Sequence, residues 1–434
     1  MKVTLFFIFC LLPSAFCFAA VDWNNPDAVV QAVIDVNPSL ASLSAQIRAA
    51  KERVAPAGSL PNPMLMGGAQ NEPVNLSYDF MTMYWVGASQ TLVRKSRRDA
   101  LRRSAELEVE RLQREYDSRR AEVERDVRSA YIEAAAAQNQ VESTEDIATV
   151  LKSIVEASRS RYETGAVPQA DLIRAMLEES NVEHQLIGLR RRRNAALARL
   201  LPLLQLPATT PVLPFSLRHA MHADQDRGFK ATLPDITPAI AELQAEVARA
   251  EEDIRLAKLA TRPDVNVEAS YGVRARNTDM FSLTARVELP IRKSTIIEPR
   301  IREAIERRDA ARQQIEVLRQ QLLQDLGSQL VSRNEAVEQI DLHINKLVPQ
   351  AKIGFESSLA AYQTGKTSFD GVLGSLRTYL ALNVDYYDFL RQKMLAEADI
   401  EAIQRGARSG MSTAPAAPMP PSPSMSTSPS TSMQ

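Results

Sequence analysis

The sequence predicts an α+β membrane protein that is internally duplicated, with four transmembrane β-strands and long helical hairpins in each protomer. Three observations point there. Short motifs recur in the same order at a spacing near 200 residues. Each half carries two segments of apolar–polar alternation, cleaner in the second half. Each half also carries a very long stretch with coiled-coil-like periodicity.

The duplication organises the rest. Arg161-Tyr162-Glu163-Thr164-Gly165 recurs 200 residues later as Ala361-Tyr362-Gln363-Thr364-Gly365. Asn37-Pro38-Ser39-Leu40-Ala41 recurs as Thr237-Pro238-Ala239-Ile240-Ala241 at the same spacing of 200. Arg94-Lys95-Ser96 recurs as Arg292-Lys293-Ser294, here at 198. Several ordered matches at nearly one spacing mark a repeat. The expected organisation is a leader at 1–20, a first repeat at 21–203, a Pro-rich equatorial connector at 204–236, a second repeat at 237–405 and a disordered Ser/Pro/Thr/Met-rich tail at 406–434.

The leader reads as a secretory signal peptide: Lys2, the apolar run Val3–Leu12, then the small pair Ala19–Ala20 at the cleavage site. The run is too short for a membrane span, which needs about 20 residues. Both cysteines, Cys10 and Cys17, fall inside it, so the processed chain is expected to hold no thiol. Phe16 before Cys17 is a poor match to a lipoprotein site. No later stretch is long and apolar enough to span as a helix, so membrane entry after export requires a closed barrel. The net charge of −1 gives no footprint for nucleic acid.

The strands follow from period-2 patterning. Val265, Val267, Ala269, Tyr271 and Val273 alternate with Asn266, Glu268, Ser270 and Gly272. After Asn277-Thr278, Phe281, Leu283, Ala285, Val287 and Leu289 alternate with Ser282, Thr284, Arg286 and Glu288. The first-half equivalents lie around 64–69 and 80–92. One greasy and one polar face suit a wall between lipid and a wet lumen.

The helices are expected at 38–55, 95–163 and 169–201, and again at 238–260, 299–363 and 370–405. A stripe of Leu101, Ala105, Leu112, Tyr116, Val123, Val127, Ala130, Ala134 and Val141 runs along the first long helix. Arg and Glu fill its other positions as solvated faces. About 69 residues make a rod of roughly 100 Å, and two shorter helices end to end nearly match it. Such hairpins form a wall segment. Four strands cannot close a barrel, because the smallest outer-membrane barrels need eight; a trimer gives twelve.

Signal peptide, doubled halves, two strands per half, a long helix and a Tyr-x-x-Gly turn together resemble the TolC-like outer-membrane efflux proteins. The resemblance covers about 25–405. It implies a homotrimer with a twelve-stranded barrel in outer-membrane lipid and an α-helical tunnel in the periplasm. It also implies docking to an inner-membrane pump through a periplasmic adaptor. The implied periplasmic tip and gate residues are Tyr162, Gly165 and Asp171, with Tyr362, Gly365 and Asp370. A tyrosine hydroxyl bonded to a carboxylate such as Asp171 would hold the tip shut. A basic residue expected near Thr367 is absent, and Gly371 and Gly374 stand where some relatives carry an acidic ring.

Leu60-Pro61-Asn62-Pro63-Met64-Leu65-Met66 and Val86-Gly87-Ala88-Ser89-Gln90 resemble the heavy-metal branch, of the copper and silver type. Met81 and Met83 are expected on one strand face, and thioethers suit Cu(I); filling a strand surface is the plainer reading. His219-x-x-His222 is the only histidine pair with ligand-like spacing. No catalytic triad, phosphate loop or metal cluster is legible, so no enzyme activity and no cofactor are expected. Other readings are a drug-efflux or type I secretion duct, or, in another class, a periplasmic coiled-coil adaptor or structural protein.

Overall fold

The structure is a computed structural model that describes residues 22–71, 81–207, 210, 232–274, 277–364 and 366–407. The expected signal peptide, most of the connector with His219 and His222, Gly365, and the tail beyond Ala407 lie outside the described residues.

The first half opens on a helix the sequence reading did not include, α1 (Pro26–Val36). Its signals are local: the Asn25 side chain accepts from the Asp27 N–H, and Pro26 sits in the first turn. Val29, Val30 and Val33 bury one face. Then come α2 (Pro38–Ala57), β1 (Met64–Gln70), β2 (Met83–Leu92), α3 (Lys95–Glu163) and α4 (Gln169–Leu203). The second half gives α5 (Pro238–Leu259), β3 (Val265–Val273), β4 (Met280–Val287), then a long interrupted rod and the return helix α8 (Phe369–Gln404).

That rod differs from α3 in a way the repeat spacing already encoded. A π turn at Lys293–Ile297 leads into α6 (Glu298–Leu342), and a second at His343–Leu347 leads into α7 (Val348–Gln363). The segments of 5, 45, 5 and 16 residues total 71, against 69 in α3. A π turn holds one residue more than an α turn. Two of them absorb the shift in spacing from 198 at Lys293 to 200 at Tyr362. Each precedes a proline, Pro299 and Pro349. Proline lacks an N–H and its ring crowds the carbonyl four residues back, here Thr295 and Asn345, inside the two π turns.

Four strands form one antiparallel sheet in the order β1-β2-β3-β4, so the two halves meet at β2–β3. Directly paired residues share a face. One face carries Leu65, Ala69, Tyr84, Val86, Ala88, Leu92, Tyr271, Phe281, Leu283 and Val287, with Gln90 as its polar member. Phe281 is 70% and Leu283 68% exposed, which is costly in water and favourable in lipid. The other face carries Ser89, Thr91, Asn266, Glu268, Ser270, Ser282, Thr284 and Arg286. Arg286 pairs with Glu268 across that face at 2.9 Å.

Below the sheet, α3 packs on α2 near Ala50, Val109 and Leu112, and on α5, where Arg249 meets Glu108 at 2.5 Å. Farther down it packs on α4 and α8. An equatorial core joins Val33, Val127, Tyr131, Leu200 and Met394. Ion pairs run through it in series from Asp27 to Arg128, Glu401, Arg405 and Glu124. The expected stripe on α3 needs one correction: Leu101 is exposed, while Leu107 and Val109 are buried. Among the described residues, no single helix is long and apolar enough to cross a membrane.

Candidate gate at the hairpin tips

Each hairpin reverses through the same local chemistry. At the first tip, Gly165 takes φ 74°, a left-handed conformation that glycine adopts without a Cβ penalty. Its N–H donates to Tyr162 O at 2.9 Å, and Ala166 N–H donates to Arg161 O at 2.8 Å. The second tip repeats the outer bond, with Lys366 N–H on Ala361 O at 2.8 Å. Thr164 and Thr364 hydroxyls each donate to a carbonyl three residues back at 3.0 Å. Asp171 and Asp370 then fall in the first turns of α4 and α8, where helix dipoles favour carboxylates.

The two tyrosines have different surroundings. Tyr162 is 41% exposed. Tyr362 is 8% exposed and belongs to a core with Ile154, Val155, Val167, Phe369 and Leu376. Its ring lies 5.1 Å from that of Phe369, and the Arg161 guanidinium sits 4.9 Å from its centre. The expected hydrogen bond from Tyr362 to Asp171 is not formed in the protomer: the buried hydroxyl has no partner of hydrogen-bond geometry. Burial first, and the Asp171 carboxylate second, push its phenol above the ordinary range. Ser158 faces the hydroxyl and acts weakly in the opposite sense.

What bridges the hairpins is a residue the sequence reading missed, Arg174. Its Nη1 lies 3.2 Å from Asp370 on the other hairpin and 3.7 Å from Asp171 on its own helix. A second bridge lies one turn deeper. Arg377 donates through Nε to Glu178 Oε1 at 2.9 Å and through Nη2 to Oε2 at 2.5 Å. The Glu178 side chain is 5% exposed. Arg377, more than burial opposes it, holds that carboxyl below the usual range. Above this bridge α4 and α8 part around a cleft of about 470 Å³ lined by His184, Gly188, Leu189 and Val384.

The methionine expectation changes. Met83 opens β2, whereas Met81 lies before it in a turn, its carbonyl accepting from Asn71 Nδ2 at 3.4 Å. The two therefore do not share a strand face. The Met83 thioether instead lies over Gly272, where any Cβ would strike it. Among the described residues, no three His, Cys, Asp or Glu side chains converge as a metal site.

The sequence matches the family described as Outer membrane efflux protein over residues 29–204 and 236–404, and the chain belongs to that family. It is thus an outer-membrane efflux channel of the TolC-like kind, and the likeness read from its motifs holds at the level of the family. The fold is shared with VceC, an outer membrane protein of Vibrio cholerae, at 17% identity and TM-score 0.72, covering 88% of this chain and 97% of that one. CusC gives 16% identity and TM-score 0.73 over 88% and 92% of the two chains. The open state of the MtrE channel of Neisseria gonorrhoeae gives 15% and 0.70 over 89% and 90%. Curated protein sequences gave no match.

Proposed function

We propose that the chain works as a homotrimeric exit duct, docked through a periplasmic adaptor to an inner-membrane pump in a tripartite efflux system. The carrying observation is the sheet. Its four strands have one apolar face and two free edges, β1 and β4. An open edge in lipid leaves backbone groups unsatisfied, so closure by further strands is required. Three copies supply twelve, above the minimum of eight. The helical rods below continue the wall as a periplasmic tunnel.

The tips serve as the gate. Gly165 turns the first tip, and Tyr162, Asp171, Tyr362 and Asp370 stand at the closure. Arg174 and Arg377 tie one hairpin to the other. Releasing both ties lets the hairpins separate, the exposed Arg174 pair being worth about 1 kcal/mol or less and the half-buried Arg377–Glu178 pair about 1–2 kcal/mol. The cargo is proposed to be a metal cation such as copper, on the likeness of the methionine-bearing strand region. Drug efflux or protein secretion is the competing cargo. A gene deletion followed by growth on copper, silver, zinc and drugs tests this. Metal sensitivity supports the assignment, and sensitivity to drugs alone overturns it.

A further inference from the structure

We propose that Arg174 determines the ion preference of the closed end: it offsets the tip carboxylates enough that the tip carries no net negative charge, so the narrow end conducts without favouring cations. The inference rests on the trimeric gate described above, and it concerns charge rather than closure.

The repeat shows how the site arose. Gly371 and Gly374, where an acidic ring would stand, correspond at the 200-residue spacing to Asp171 and Arg174. The first repeat thus supplies a carboxylate and a guanidinium at positions where the second supplies neither. Arg174 then reaches across to Asp370, the remaining acid of the second tip, at 3.2 Å while staying 3.7 Å from Asp171. One guanidinium against these two carboxylates leaves the cluster at −1 per chain rather than −2, and what remains is screened beyond a Debye length of about 8 Å. Glu178 is occupied by Arg377 in the same manner.

The wider tip agrees. Residues 159–178 and 359–378 contain Arg159, Arg161, Arg174, Lys366 and Arg377 against Glu163, Asp171, Glu178 and Asp370, a net charge of +1 per chain. Charge rings concentrate counter-ions only when uncompensated. With Arg174 in place these tip segments carry no net negative charge.

The test is the reversal potential of the purified full-length protein in planar bilayers under a KCl gradient. The wild type is expected to reverse near zero. Arg174→Gln should uncover Asp171 and Asp370 in each chain and raise the potassium-to-chloride permeability ratio about five-fold or more. Arg174→Lys should restore the wild-type potential, because it restores the charge. Asp370→Asn should shift the potential toward chloride. Conductance is read in the same traces and reports the tie: a rise in conductance at an unchanged reversal potential in Arg174→Gln overturns the proposal while leaving the gate intact. A wild type that is strongly cation-selective overturns it without any variant. Failure of the gate reading looks different, with conductance unmoved in Arg174→Gln and Arg377→Ala alike.

Discussion

Arg377 grips Glu178 from the opposite hairpin through two parallel hydrogen bonds, with the carboxylate buried and the guanidinium 57% exposed. The asymmetry sets the outcome of breaking it. Arg377→Ala strands a buried carboxylate and should cost about 1–2 kcal/mol, the usual charged-bond value reduced for the exposed partner. Glu178→Gln should cost less, since it removes the charge that needs solvating. The depressed Glu178 pKa fixes the pH sense: the stabilisation is complete above the unfolded value near 4.5 and fades as pH falls through the lower folded value. Hydrogen exchange in α4 and α8 as a function of pH measures this. Protection lost between pH 6 and 8 would contradict it.

Tyr362 separates packing from hydrogen bonding. Its hydroxyl is buried without a partner, so Tyr362→Phe should leave tip protection unchanged or raise it, by up to about 1 kcal/mol. Tyr362→Ala removes the ring from the Phe369 and Leu376 core and should cost about 3–4 kcal/mol. A loss above 1 kcal/mol in the phenylalanine variant, by the same exchange measurement, would mean that the hydroxyl has a partner, either Ser158 or a group from another chain.

The second π turn predicts where a residue is dispensable. Deleting Asn345 together with Pro349→Ala should convert the turn to regular α-helix and keep Phe355 and Tyr362 facing their core. Deleting Gly327, inside α6 and exposed, instead rotates everything below by about 100°. The first variant should assemble and the second should not, as judged by gel filtration in detergent and by bilayer conductance. Equal failure would show that the π turn is not the site of the extra residue.

The two faces of the sheet predict opposite tolerance. Leu283→Arg places a charge on the apolar face and should destabilise folding into lipid vesicles by about 2–4 kcal/mol. Thr284→Arg, one residue on, turns to the polar face and should cost under about 1 kcal/mol. Urea titration in vesicles reads both. Equal costs would remove the assignment of lipid and lumen sides.

Long-period signals were legible in the sequence. The end of α3 at Glu163 and the paired strands around Val265–Val287 follow from periodicity and turn residues. The π turns were also written there, in the spacing change from 198 to 200 and in Pro299 and Pro349, but a mid-helix proline alone does not say whether a helix breaks, kinks or bulges. Arg174 was missed because its role depends on how two hairpins cross, and no local pattern reports that. Tyr362 was assigned a partner from a motif, whereas packing against Phe369 decides its orientation. The helix α1 was overlooked although Asn25-Pro26-Asp27 is an ordinary start signal.

The central claim is that three copies of this duplicated chain close one lipid-embedded cylinder. Native mass spectrometry of the protein extracted from outer membranes in detergent tests it most directly. The account requires a particle of three chains that needs detergent to stay dispersed. A single chain that stays soluble without detergent would contradict it.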